Sequence, residues 1–150
     1  ADNKGKPLNR MTHMFTPVSS RAASAYRQVG VQSGLESASP HRLVQMLFDG
    51  LLQNLNTAIG ALQRGDIEQK GQQIGRAVRI LEEGLKGGLN REQGGELAAN
   101  LGALYDYCVR RLTVANLRND AQAVEEVLAL MSPVAKSWQD IGETPQPTAG

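Results

Sequence analysis

Apolar residues recur every three or four positions along four stretches of this chain, the period of helices that bury one face. The first stretch opens at Ser39-Pro40, where serine can cap free N–H groups and proline at the first helical position gives up no needed hydrogen bond. From Pro40 to about Gln63, Leu43, Leu47, Leu51, Leu55, Ala58 and Leu62 form one stripe, widened by Val44, Met46, Phe48, Leu52 and Ile59. The sector is broader than a two-helix seam requires, so part of it is expected to face a partner.

Arg64-Gly65-Asp66 reads as a tight link, with Gly65 free to take the left-handed cap conformation and Asp66 capping the next helix. The second helix is predicted over Ile67 to about Lys86, on a stripe of Ile67, Ile74, Ala77, Val78, Leu81 and Leu85, with an i,i+4 ion pair from Asp66 to Lys70. Gly71, Gly75 and Gly84 each cost about 1 kcal/mol relative to alanine, pointing to close backbone approach or a softer helix. After a Gly87-Gly88-Leu89-Asn90 turn, the third helix runs from about Glu92 to Arg118, through Leu97, Leu101, Leu104, Cys108, Leu112 and Ala115. Asn119-Asp120 closes it and caps the fourth, whose stripe is Val124, Val127, Leu128, Met131, Val134 and Trp138. Pro133 should kink or break that helix, or Ser132-Pro133 could cap a short extra turn.

Residues 1–21 are rich in Lys, Asn, Pro, Ser and Thr without a sustained period, as expected of a disordered leader. Residues 1–10 read as vector-derived, since Met11 and Met14 could each be a natural start. Ala22 to Val29 spaces Ala23, Tyr26 and Val29 in threes, enough for a short amphipathic helix that needs a groove to lie in. Residues 142–150 read as a tail. Four similar helices with short links predict an all-α fold: an antiparallel up-down-up-down four-helix bundle in one domain, residues 22–141, with a short N-terminal helix and disordered termini.

Composition agrees, because Leu and Ala are the two commonest residues and aromatics make up only 4%. The formal net charge of +1 is uneven: Lys4, Lys6, Arg10, Arg21 and Arg27 against Asp2 put +4 in the first thirty residues and leave −3 on the rest. A mildly acidic body is a poor match to nucleic acid, which calls for a basic stripe on the folded face. Cys108 is the only cysteine, so no intrachain disulfide can form and a reducing compartment is the simplest reading. No apolar run approaches the ~18 residues of a spanning helix, and no secretory signal is recognisable, so the expected location is cytoplasmic, without membrane insertion.

The chain is thin in catalytic chemistry. His13 falls in the leader and His41 in the first turn of the first long helix, and no Glu-x-x-His pair of the kind that holds di-iron occurs. Glu92 and Glu96 share a helical face, as do Glu82 and Glu83 more loosely, but without a histidine they read as solvated surface. Cys108 sits on an apolar stripe and reads as a buried small hydrophobe. Gly87-Gly88 and Gly94-Gly95 form no phosphate loop. The Arg110-Arg111 pair reads as a solvated basic face that could also meet acidic groups on a partner. Neither an enzyme, a cofactor nor a metal is expected.

Tyr26 ahead of Ser39-Pro40, then Leu-Val-Gln-Met-Leu-Phe-Asp-Gly at 43–50, Gly-Asp-Ile at 65–67, Ala-Val-Arg-Ile-Leu at 77–81, Asn-Leu-Gly-Ala-Leu-Tyr-Asp-Tyr at 100–107, Arg-Leu-Thr-Val-Ala-Asn at 111–116 and Trp138 together resemble the flagellar secretion chaperones (FliS). The match covers residues 26–138 in order, and departs at Phe48, where the family usually shows tyrosine. The resemblance implies a bundle that binds the disordered C-terminal part of flagellin, prevents its polymerisation in the cytoplasm and delivers it to the flagellar export apparatus. It nominates Leu47, Phe48, Leu51, Leu55, Tyr105, Leu112 and Asn116 as groove residues, with Tyr26 and Val29 on a flap that fills the groove when no client is bound. For the leucines, plain core packing is the competing role. Alternatives are a regulatory bundle that sequesters an anti-sigma factor or another export-related protein, a ferritin-like metal bundle, and a self-associating helical protein.

Overall fold

Side-chain caps set the helix boundaries in the computed structural model, which describes residues 38–143. Ser39 accepts from the backbone N–H of Arg42 at 3.1 Å and starts α1, Pro40–Arg64, with Pro40 at its first position. Gly65 ends it in the left-handed region, φ 75°, and Asp66 accepts from the N–H of Gln69 to start α2, Ile67–Arg79. Asn90 caps α3, Arg91–Arg118, through Gln93, and Asn119 closes it with φ 54°. Asp120 then accepts from the N–H groups of Gln122 and Ala123 at the head of α4, Ala121–Glu143.

Two departures from regular α geometry lie where α2 gives way to α3. Beyond Arg79 the chain continues into a π-helical stretch, Ile80–Lys86, with Ile80, Leu81, Gly84 and Leu85 buried. Gly87 closes it, donating to the Glu82 carbonyl at 2.9 Å, and a Cβ on Gly87 would stand 2.6 Å from the Glu83 carbonyl oxygen, so a larger residue would force the turn apart. The second departure is Gly95, at φ 55° and ψ −132°, a conformation open in practice only to glycine. It turns the opening Arg91–Gly94 segment back on the rest of α3. As a result the Arg91 guanidinium lies 2.7 Å from where a Cβ on Gly102 would be, although eleven straight helical residues would separate the two by about 16 Å.

Each helix packs on its neighbours in sequence, and α4 closes the ring on α1. This is the expected antiparallel four-helix bundle. Its core runs through Leu43, Leu47, Leu51 and Leu55 of α1, Ile74 and Ala77 of α2, Leu81 and Leu85 of the π stretch, Tyr105, Cys108 and Leu112 of α3, and Val124, Val127, Met131 and Trp138 of α4. A helix in a closed ring must bury flanks against two neighbours as well as its inner face, which uses most of the broad apolar sector of α1 inside the bundle.

Several local expectations are corrected. The Asp66–Lys70 ion pair does not form: Asp66 serves as the α2 cap and Lys70 turns inward. Gly71 and Gly75 have nothing within 4 Å of a Cβ position, so close backbone approach does not explain them. Ile67 and Leu97, both assigned to buried stripes, are exposed, the first at the bundle's end and the second just past the Gly95 turn. Glu92 and Glu96 flank that turn and do not share a regular helical face. The break at Pro133 is absent, because α4 runs through it with Pro133 and Ala129, whose carbonyl it leaves unmatched, both on the exposed side.

Candidate functional site

Of the nine nominated residues, Leu47, Phe48, Leu51, Leu55, Tyr105 and Leu112 are each no more than 1% exposed. In the closed bundle these side chains are core, and none lines an open groove. With residue 48 enclosed, phenylalanine avoids placing a hydroxyl where it would need a buried partner. Tyr26 and Val29 lie outside the described residues. Asn116 is at the surface, yet its side-chain oxygen and its backbone carbonyl both accept from Lys70 Nζ, at 2.8 and 2.9 Å. Lys70 is only 4% exposed, so its charge is directed at the C-terminal end of α3, where a helix presents unmatched carbonyls and partial negative charge.

The Tyr105 hydroxyl is buried without a hydrogen-bond partner among the described residues. Burial, followed by the nearby Cys108, pushes its pKa well above the ordinary tyrosine value. Burial pushes the Cys108 thiol up to about 11, with a smaller push from Glu126, so it stays protonated and unreactive at neutral pH. On the flank of α3 and α4, Glu126 receives two short bonds, Tyr107 Oη to Oε2 and Arg111 Nε to Oε1, both 2.6 Å. These bonds, Tyr107 first, hold the Glu126 carboxyl below its ordinary range, and the same contacts raise Tyr107 and Arg111. Arg110 lies over the Tyr107 ring, 5.9 Å from its centroid, so the Arg110-Arg111 pair is occupied within the fold.

Sequence reasoning missed three features. Lys70 was legible in spacing, because it stands four residues before Ile74 on the buried face of α2. His41 and Trp138 form a clasp between the start of α1 and the end of α4: the rings stack at 4.8 Å, His41 Nε2 donates to the Trp138 carbonyl at 2.6 Å, and Trp138 Nε1 donates to the His41 carbonyl at 3.0 Å. Third, an open cleft of about 450 Å³ lies between α1 and α2, lined by Met46, Asp49, Gly50, Gln53, Asn54, Thr57, Gln73 and Arg76. Buried Asn54 on its wall has a side-chain amide nitrogen with no partner among the described residues. The only sequence signal for the cleft was polar residues interrupting the broad α1 sector.

Among the described residues no three or more His, Cys, Asp and Glu side chains gather as a metal site, and no helix is long and apolar enough to cross a membrane. Among the described residues Ile67 and Leu117 are the most exposed large apolar side chains, at 51% and 79%.

The sequence model of the family described as "Flagellar protein FliS" matches residues 22–145. The flagellar secretion chaperone FliS of Salmonella typhimurium is 53% identical over 117 residues, covering 78% of this chain and 87% of that protein. The flagellar secretion chaperone FliS of Escherichia coli is 48% identical over 120 residues, 80% of this chain and 88% of that one. The flagellar secretion chaperone FliSB of Pseudomonas aeruginosa is 43% identical over 121 residues, 81% and 95% respectively.

Proposed function

The chain belongs to the flagellar protein FliS family, and from that membership we propose that it is a cytoplasmic flagellar secretion chaperone that holds the C-terminal segment of flagellin, keeps it from polymerising and presents it to the export apparatus. The observation that carries the reading is 53% identity, across 87% of its length, to a protein named a flagellar secretion chaperone. The chemistry of the fold is compatible with it. The one thiol is held protonated and no metal cluster gathers among the described residues, whereas helix flanks and clefts are surfaces on which a disordered client can order.

In this reading, contact between the client and Leu47, Phe48, Leu51, Leu55, Tyr105 or Leu112 requires the helices to part. The closed bundle offers Asn116 and the half-exposed side chains around the core.

Calorimetric titration with a peptide covering the last ~40 residues of flagellin from the same genome tests the proposal. One-to-one binding with a negative heat-capacity change, the sign of apolar burial coupled to folding, is expected. No binding at any temperature would overturn it.

A further inference from the structure

A helix on the outside of a bundle ordinarily turns a charged face to water. α1, α2 and α4 do so, with Asp49 and Arg64, Glu68 and Arg76, and Glu125 and Lys136 all exposed. The middle of α3 does not: between Glu96 and Arg110 its exposed positions are Leu97, Ala99, Asn100 and Ala103, none of them charged. The two charges that bound this stretch are opposite in sign, and neither makes an ion pair among the described residues. Arg110 rests on the Tyr107 ring, which holds its guanidinium at the surface. Beyond Arg110 the same ridge carries half-exposed Val114 and then Leu117, which is 79% exposed. At the other end, where Gly95 turns the chain, an open hollow of about 560 Å³ is lined by Gln93, Gly94, Gly95, Glu96, Leu97 and Asn100.

Ala103 stands midway between Glu96 and Arg110, about 10 Å along the helix axis from each. A face with a small residue at its centre and opposite charges at equal distances on either side is complementary to itself turned end for end. We propose that the outer face of α3 docks on the same face of a second copy of this chain, the two helices antiparallel and crossing at Ala103. Glu96 of each copy then lies opposite Arg110 of the other, so the contact carries two equivalent ion pairs. Ala99 and Ala103 let the two backbones approach closely. Val114 and Leu117 fall past the first regular turn of the facing helix, at its Gly95 hollow. The inference goes beyond the chaperone reading and does not depend on it. One helix face is a small contact, so a dissociation constant on the order of 100 μM is expected, with pairs that part on dilution.

The test is sedimentation equilibrium of the full chain from about 10 μM to about 1 mM, at low and high salt. The wild type should pass from monomer toward dimer over this range, less readily at high salt. Glu96→Arg alone and Arg110→Glu alone each set like charges opposite one another at two places, and each should associate at least about tenfold more weakly. An equimolar mixture of those two variants makes every pair opposite again and should associate at least as well as the wild type. Ala103→Arg, which puts bulk and like charge on the symmetry axis, should stay monomeric, whereas Arg76→Glu on the exposed face of α2 should associate as the wild type does. All four positions are exposed, so unchanged melting temperatures are expected. A wild type that is monomeric throughout would overturn the proposal, and so would a mixture that associates no better than its two components. Ala103→Arg dimerising like the wild type would overturn it too; should that variant not fold, the mixture decides alone. Loss of flagellin-peptide binding in Ala103→Arg, with the wild type monomeric, would give the face to the client instead and sink the self-contact.

Discussion

Lys70 reaches from α2 to the end of α3 and donates from one ammonium to two oxygens of Asn116, the backbone carbonyl at 2.9 Å and the side-chain amide at 2.8 Å. The two residues stand 46 positions apart, and their contact joins the second and third helices by a polar tie beside the apolar core. Lys70→Met keeps the buried stem and removes the donor, and is expected to lower unfolding stability by about 1–3 kcal/mol in urea titration. Asn116→Ala removes one of the two acceptors and should cost less. A double-mutant cycle separates this contact from any client contact: if Asn116 touches the client, Asn116→Ala weakens binding more than Lys70→Met does, despite the smaller loss of stability.

Tyr105 presents the opposite situation, a hydroxyl buried with nothing among the described residues to receive it. Tyr105→Phe should therefore leave stability unchanged or raise it by up to about 1 kcal/mol, whereas Tyr105→Ala should cost about 3–5 kcal/mol through the cavity it leaves. A loss above 1 kcal/mol in the phenylalanine variant would show that the hydroxyl has a partner.

Glycines with room around them should behave differently from the one held at positive φ inside α3. Gly71→Ala and Gly75→Ala, which meet nothing within 4 Å, are each expected to stabilise by about 0.5–1 kcal/mol, read from the melting temperature. Gly95→Ala should destabilise by more than 1 kcal/mol, because its backbone conformation excludes a side chain in spite of equally open space.

Stability should fall at both ends of the pH scale for identifiable reasons. The folded Glu126 carboxyl is depressed, so its contribution is present above the unfolded carboxylate pKa and is lost as pH drops through the folded value; Glu126→Gln should flatten that acid limb. Cys108 is raised, so its contribution is complete below the unfolded thiol pKa near 9 and disappears between there and about pH 11. Cys108→Ala should make the alkaline limb shallower without abolishing it, because the buried Tyr105 hydroxyl is raised as well. In the wild type, thiol-reactive dye should label Cys108 only as fast as the bundle opens.

Much of the architecture was legible because it is dictated by neighbours in the chain. Ser39-Pro40, Gly65-Asp66 and Asn119-Asp120 cap and stop helices through contacts spanning two to five residues, and the apolar period marks which face turns inward. What escaped depends on distant residues or on an unusual backbone. Gly94-Gly95 reads like any helix start until φ at Gly95 is known, and the π stretch contains no residue that α-helix would refuse. The breadth of the α1 sector was read as room for a partner, but Val44 and Phe48, two of the residues that widen it, are buried within the ring. The cleft lies along the polar interruptions of that sector, at Asp49, Gln53 and Asn54, which a search for apolar stripes passes over.

The clasp of His41 with Trp138 brings the first turn of α1 against the last turns of α4. The described chain thus enters and leaves at one pole, while the links at Gly65 and Asn119 sit at the other. The order in which the four helices are strung is therefore separable from how they pack. A circular permutant that joins residues 143 and 38 through a short flexible linker and opens at Gly65 should keep the same ring of contacts, with its single tryptophan still stacked on His41 as a fluorescent witness. A molecule whose described ends sit side by side is a closed circuit of helices, and anything tethered directly at residue 38 or residue 143 would leave the opposite pole outward.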